Sequence, residues 1–348
     1  MIKRYAGLII MILLISAGAG LMFFGYEARE GSENTSDQEA PYEDMPQDGK
    51  DYIVVGFSQI GAESDWRNAS TESFRSVFTT ENGYYLLYED AQQKQENQLK
   101  AVRNFILQEV DYIVLDPIVE TGWDTVLQEA KDANIPVILV DRQLEADSDL
   151  YTCWVGSDFK EEGRLAGKWL EDYLKRQERA KEKIRIVTLQ GTPRSSAQLG
   201  RTEGFQEVLS SHKNWKMLDC QSGEFTQAKG QEVMEGFLQK YKDIDVVISE
   251  NDNMTFGAVE AIETAGRTCG PKGDIIIISF DAVRTALQYM QEGRIHADFE
   301  CNPMLGPFVS NIIRRLEAGE KVEKVEYVPE QYFDSSMNLS RILGERKY

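Results

Sequence analysis

Histidine and cysteine are scarce. The chain has two histidines, His212 and His296, and four cysteines, Cys153, Cys220, Cys269 and Cys301, in 348 residues. No two cysteines stand close together, so zinc-ligand spacing is missing and no metal is expected. Phosphate-cradling turns are missing as well. There is no G-x-G-x-x-G, no GxxxxGK[ST] loop and no G-x-S-x-G elbow, which removes dinucleotide, nucleotide-hydrolysing and serine-hydrolase readings. Positive charge is in deficit, with 38 Lys and Arg against 58 Asp and Glu and a net charge of -20. Such a surface repels phosphate backbones, so nucleic acid is not an expected partner. Neither an enzymatic activity nor a cofactor is expected.

One long uncharged apolar run is present. Lys3 and Arg4 precede Tyr5–Tyr26, which carries no charge. Its length suffices to span a bilayer as a helix, and the flanking cations would keep the start inside and send the rest outside the cytoplasm. Residues 1–26 therefore read as a signal peptide or a membrane anchor. Ala17-Gly18-Ala19 offers a cleavage site, whereas Leu21-Met22-Phe23-Phe24 extends the run as an anchor would. No cysteine lies near it, which excludes a lipid-modified cysteine. Residues 27–50 are acidic and lack apolar periodicity, the pattern of a disordered tether. An even cysteine count in an exported chain permits disulfides; the wide spacing and apolar neighbours fit buried free thiols equally well.

From Tyr52 onward short apolar runs alternate with helical patterns. The strand candidates are 52–57, 84–88, 112–115, 136–140, 151–155, 184–189, 215–220, 244–249, 275–280 and 295–299. Strand–helix alternation predicts parallel sheets covered on both faces. Ten strands exceed one typical sheet, so the expected fold is α/β with two doubly wound lobes. Ligands in such lobes bind outside the carboxyl ends of the strands.

Those ends carry a chemically coherent set. Glu63, Trp66 and Arg67 follow the first strand, Asp90 the second, Asp116 the third, and Asp141 and Arg142 the fourth. The second half supplies Arg201, Asn251, Asp252, Asp281 and Glu300. Each taken singly is an ordinary helix cap or surface ion pair; at eight strand ends together they form a pattern. Carboxylates, amides and guanidiniums present paired donors and acceptors that match vicinal hydroxyls. An indole offers a flat face to the C–H side of a sugar ring. The set predicts a neutral polyol or monosaccharide. A glycosidase needs only two carboxylates, but the arginines would keep them ionised and spoil a general acid.

"VGFSQIGAESDWR", "DAQQKQENQLKAVRNFI", "GWDTVLQEAKDANIPVILVDR", "LQGTPRSSAQLGRTEGF", "SGEFTQAKGQEVME" and "ENDNMTFGAVEAI" resemble sugar-binding proteins of bacterial ABC transporters, of the ribose/galactose type of periplasmic binding protein, and within it the galactofuranose binders. The resemblance implies two lobes joined by three crossing strands near 155–158, 281–283 and 300–303. It implies an N-terminal lobe of 51–155 plus 301–328 and a C-terminal lobe of 156–300 plus 329–348. It assigns sugar contacts to Glu63, Trp66, Arg67, Asp90, Asp141 and Arg142 on one side, and to Arg201, Asn251, Asp281 and Glu300 on the other. Asp116 departs from the family, where a small residue stands, and points to a different hydroxyl or sugar. The calcium loop of some glucose/galactose binders has no counterpart. The implied partner is an ABC permease, or alternatively a membrane histidine kinase or chemoreceptor, served by an extracytoplasmic monomer.

Overall fold

The computed structural model describes residues 49–348. The predicted signal or anchor segment, and all of the predicted tether but Gly49 and Lys50, lie outside the described residues. Among the described residues no helix is long and apolar enough to cross a membrane.

All ten expected strands form, and two short ones join them. In chain order they are β1 (Ile53–Gln59), β2 (Tyr84–Asp90), β3 (Tyr112–Leu115), β4 (Val137–Val140), β5 (Cys153–Gly156), β6 (Ile184–Gln190), β7 (Trp215–Ser222), β8 (Val246–Ser249), β9 (Ile276–Asp281), β10 (Ala297–Glu300), β11 (Val325–Tyr327) and β12 (Tyr332–Asp334). Between them run α1 (Asp65–Val77), α2 (Gln95–Leu107), α3 (Asp124–Asp132), α4 (Phe159–Arg176), α5 (Ser196–Leu209), α6 (Gln227–Lys240), α7 (Asp252–Thr264), α8 (Arg284–Gln291), α9 (Gly306–Glu317) and α10 (Leu339–Glu345).

The strands divide into two six-stranded sheets, ordered β11-β5-β4-β3-β1-β2 and β12-β10-β9-β8-β6-β7. Every pairing is parallel except that of β12 with β10. Runs such as Val137-Ile138-Leu139-Val140 are buried at every position, as strands covered by helices on both faces must be. The strand order reverses between β1 and β3 in one sheet and between β6 and β8 in the other. These switch points open a crevice beyond the strand ends, where such sheets take ligands.

The chain passes between the sheets three times. It leaves the first after β5, returns after β10 as Gly306 docks its amide on Ser73 Oγ at 3.0 Å, and leaves again between β11 and β12. The middle passage thus lies after residue 300 and the last between 327 and 332. The expected crossing at 281–283 is not one. Those residues join β9 to α8 inside the second lobe, because β10 still has to pair with β9 before the chain leaves.

Helices α4 and α5 pack at backbone contact. A Cβ at Gly204 of α5 would lie 1.9 Å from the Lys160 carbonyl oxygen of α4, and one at Gly163 of α4 would lie 2.2 Å from that of Arg201. Only glycine permits this approach, and it sets Arg201 against α4. All four cysteines are free thiols, Cys220 exposed and the other three buried.

Candidate functional site

A cavity lies where the two switch points face each other. Its first-lobe wall begins just past β1. Ser64 caps α1 by accepting the Arg67 amide at 3.1 Å, and this aims Trp66 and Arg67 along the wall. Asp65 donates its amide across the lobes to Asn253 Oδ1 at 3.0 Å. Gln143 likewise donates to Ser196 Oγ at 2.8 Å. The lobes therefore stand closed on the cavity.

Arg67 organises this wall. Its guanidinium pairs with Glu63 at 3.0 Å, with Asp141 at 3.0 Å and, at short range, with Asp116. Burial would lift Glu63, but Arg67 and Arg142 hold it below the usual carboxylate range. Asp116 is fully buried, and burial pushes it well above that range despite Arg67, with Asp141 adding repulsion. Arg142 donates to the Ile118 carbonyl at 3.0 Å and lies over the Phe225 ring, 5.2 Å from its centroid. Burial, together with Arg67, lowers its affinity for the proton. Trp66 Nε1 donates to the Cys301 carbonyl at 2.6 Å, tying the wall to the second crossing.

The second-lobe wall is built around Arg201. It bridges Glu162 at 2.7 Å and Asp281 at 3.4 Å and is sandwiched between Phe159 and Phe280, 5.3 and 5.1 Å from the ring centroids. Burial raises Asp281 well above the ordinary value against the pull of Arg201. Asn251 caps α7 through the Met254 amide at 2.9 Å and donates to the Phe225 carbonyl at 3.1 Å.

Two features mark the cavity as built for a ligand. Glu63 Oε2 and Arg142 Nε are buried without a hydrogen-bond partner, a state normally too costly to keep. Three lining residues also adopt left-handed backbone: Asp141 at φ 56°, Phe225 at φ 60° and Asp281 at φ 104°. Strained backbone of this kind collects at ligand sites. The lining carries three guanidiniums and three carboxylates, so it suits a neutral guest rich in hydroxyls.

Of the expected residues, Glu63, Trp66, Arg67, Asp141, Arg142, Arg201, Asn251 and Asp281 line the cavity. Four do not. Asp90 is exposed and accepts the Gln92 amide at 2.7 Å, because β2 is an edge strand away from the switch point. Asp116 sits behind Arg67 and never reaches the wall. Asp252 turns under β9, where it accepts from the Ser279 hydroxyl and the Val283 amide. Glu300 faces the other way and binds Arg346 and Tyr348. The strand-end reading missed Phe159, Ala197 and Phe225, which also line the cavity. An aromatic standing outside any apolar period just after β7, as Phe225 does, was the available signal.

Among the described residues one grouping brings three metal-ligating atoms within 4.8 Å, those of Glu162, Cys301 and Glu330. The Arg201 guanidinium already occupies Glu162. Burial, with repulsion from Glu162, pushes Glu330 up to about 9. Both oppose a cation. The cluster instead joins the crossings, since Glu330 accepts from the Ser157 hydroxyl and from the Asn302 amide.

Comparison with known proteins agrees with this architecture. Residues 55–302 match the model of the periplasmic binding protein domain. The chain is 42% identical over 284 residues to the galactofuranose-binding protein YtfQ of Escherichia coli, spanning 80% of this chain and 85% of that one. A solved structure of the periplasmic binding protein component of the arabinose ABC transporter from Shewanella, bound to α- and β-L-arabinofuranose, superposes with a TM-score of 0.79. It is 42% identical and covers 84% of this chain and 95% of its own. A Mycobacterium smegmatis structure in complex with β-D-fucofuranose also gives 0.79 at 42% identity, over 84% and 97%. A family match across most of the chain, with two parallel-sheet lobes meeting at facing switch points, makes this chain a member of the periplasmic binding protein family.

Proposed function

We propose that this protein captures a monosaccharide in its furanose form outside the cytoplasm and delivers it to an ABC permease. The moving units are 51–155 plus 301–328 and 156–300 plus 329–348, bounds that sheet membership supports except at Gly156, which ends β5 of the first sheet. The observation that carries the reading is the pair of unpartnered buried groups, Glu63 Oε2 and Arg142 Nε, in a charge-balanced cavity. A hydroxyl can donate to the one and accept from the other. Trp66, Phe159 and Phe225 supply apolar faces for the ring carbons. The furanose form is favoured by the relatives with arabinofuranose, fucofuranose and galactofuranose in their names.

Thermal unfolding of residues 49–348 with L-arabinose, D-galactose, D-fucose and D-glucose tests this. A bound sugar adds about 2.7 kcal/mol at a hundred times its Kd. Stabilisation by at least one of the first three is expected, with none from D-glucose, which scarcely forms a furanose. Because only the furanose fraction is competent, apparent affinity should track that fraction across sugars. Equal stabilisation by all four would sink the furanose reading, and no response to any would sink sugar capture.

A further inference from the structure

Asp281 reaches the cavity from backbone that an aspartate does not adopt freely, φ 104°, followed by Ala282 at φ 53°. Such a turn must be held by its surroundings. From beneath, the Ala282 amide donates to Asp298 Oδ1 at 3.1 Å and the Val283 amide to Asp252 Oδ2 at 2.8 Å. From the opposite side comes Arg346, just past α10. Its Nε donates to the Ala282 carbonyl at 2.7 Å, and a second N–H of the same fork donates to that oxygen too. Its remaining arm binds Glu300 Oε1 at 2.5 Å. Glu300 Oε2 accepts the Gln331 amide at 3.0 Å, on the third crossing. The Arg284 amide, next in line on the turn, donates to the main-chain oxygen of Tyr348 at 2.8 Å.

Arg346 is almost fully buried and stacked, 5.1 Å from the Phe333 centroid and 4.0 Å from that of Tyr348. A planar fork held on two rings is pre-organised in a way lysine is not. One guanidinium thus links the turn that presents Asp281 to the strand end and crossing on which the lobes pivot.

We propose that Arg346 is a positioning residue of the ligand site, one that holds the 281–283 turn in its strained form and couples it to the third crossing through Glu300. The proposal rests on the sugar-capture reading of the cavity; Arg346 itself does not touch that cavity.

Amide hydrogen exchange at 282–284, with β6 as an internal reference, separates the two readings. In unliganded Arg346→Ala these three amides should exchange at least tenfold faster while β6 is unchanged, a pattern of local opening. L-Arabinose, used as the probe, should bind on the order of tenfold more weakly, in the range of couplings carried between contacting elements. Arg346→Lys keeps the ion pair but loses the fork, so it should expose the same amides, and it serves where the alanine variant fails to fold. Unchanged exchange at 282–284 overturns the proposal. So does faster exchange with unaltered sugar affinity. If the unsubstituted protein binds no sugar, the function reading fails while the exchange rates still decide the clasp.

Discussion

Arg67 is one cation among three carboxylates, nearly removed from water. The energetics of that arrangement are lopsided. Removing one partner from a buried ion cluster strands the others, typically at 3–5 kcal/mol. Arg67→Ala is therefore expected to lower unfolding free energy by about that amount in urea titration, beyond the loss of any sugar contact. A change within about 0.5 kcal/mol would mean the carboxylates find other partners. Asp252 and Asp298 behave differently. Burial raises both, with repulsion from Asp298 adding to it at Asp252 and repulsion from Asp281 at Asp298, which is pushed up to about 7. A carboxyl whose folded value is raised keeps a proton that the unfolded chain has already lost. Its contribution is fully present below about pH 4 and is lost as pH rises toward about 7. Over that window the slope of stability against pH should become shallower in Asp298→Asn by up to about one proton. An unaltered slope would show that the pair ionises normally.

At the level of elements, the α4–α5 contact fixes where Arg201 stands. Gly204→Ala would drive a methyl into the Lys160 carbonyl, 1.9 Å away, and force the helices apart. Overpacking of this kind costs about 1–3 kcal/mol, and a lowered urea midpoint with weakened sugar binding is the expected pair of effects. Retained affinity would separate helix spacing from the site. The elements also show what sequence can and cannot carry. Strands such as β4, buried along their whole length, announce themselves as apolar runs. β11 and β12 have three residues each, and β11 is largely exposed, so no period of two can develop. Which strand ends meet was less legible still. Asp90 and Asp141 look alike in sequence, and only strand order places one on an edge and the other in the crevice. Phe225 reaches the cavity through left-handed backbone, which composition does not encode.

The whole molecule is closed by direct bonds between lobes, of which Asp65 to Asn253 is one. Asn253 does not line the cavity, so Asn253→Ala leaves the sugar's own contacts in place. It removes stabilisation from the closed form alone. A ligand's apparent affinity includes the closing equilibrium, and a rise of Kd of about threefold to tenfold is expected from one hydrogen bond. Titration calorimetry reads this directly; equal affinity would place closure elsewhere. The three crossings carry a further consequence. On the proposed capture reading, a sugar enclosed between the lobes leaves only when they part, and its residence time is then set by how often the crossings at Ser157, Cys301 and Glu330 yield. On that same reading, two sugars of unequal affinity escape at the same rate and differ only in how fast they are caught.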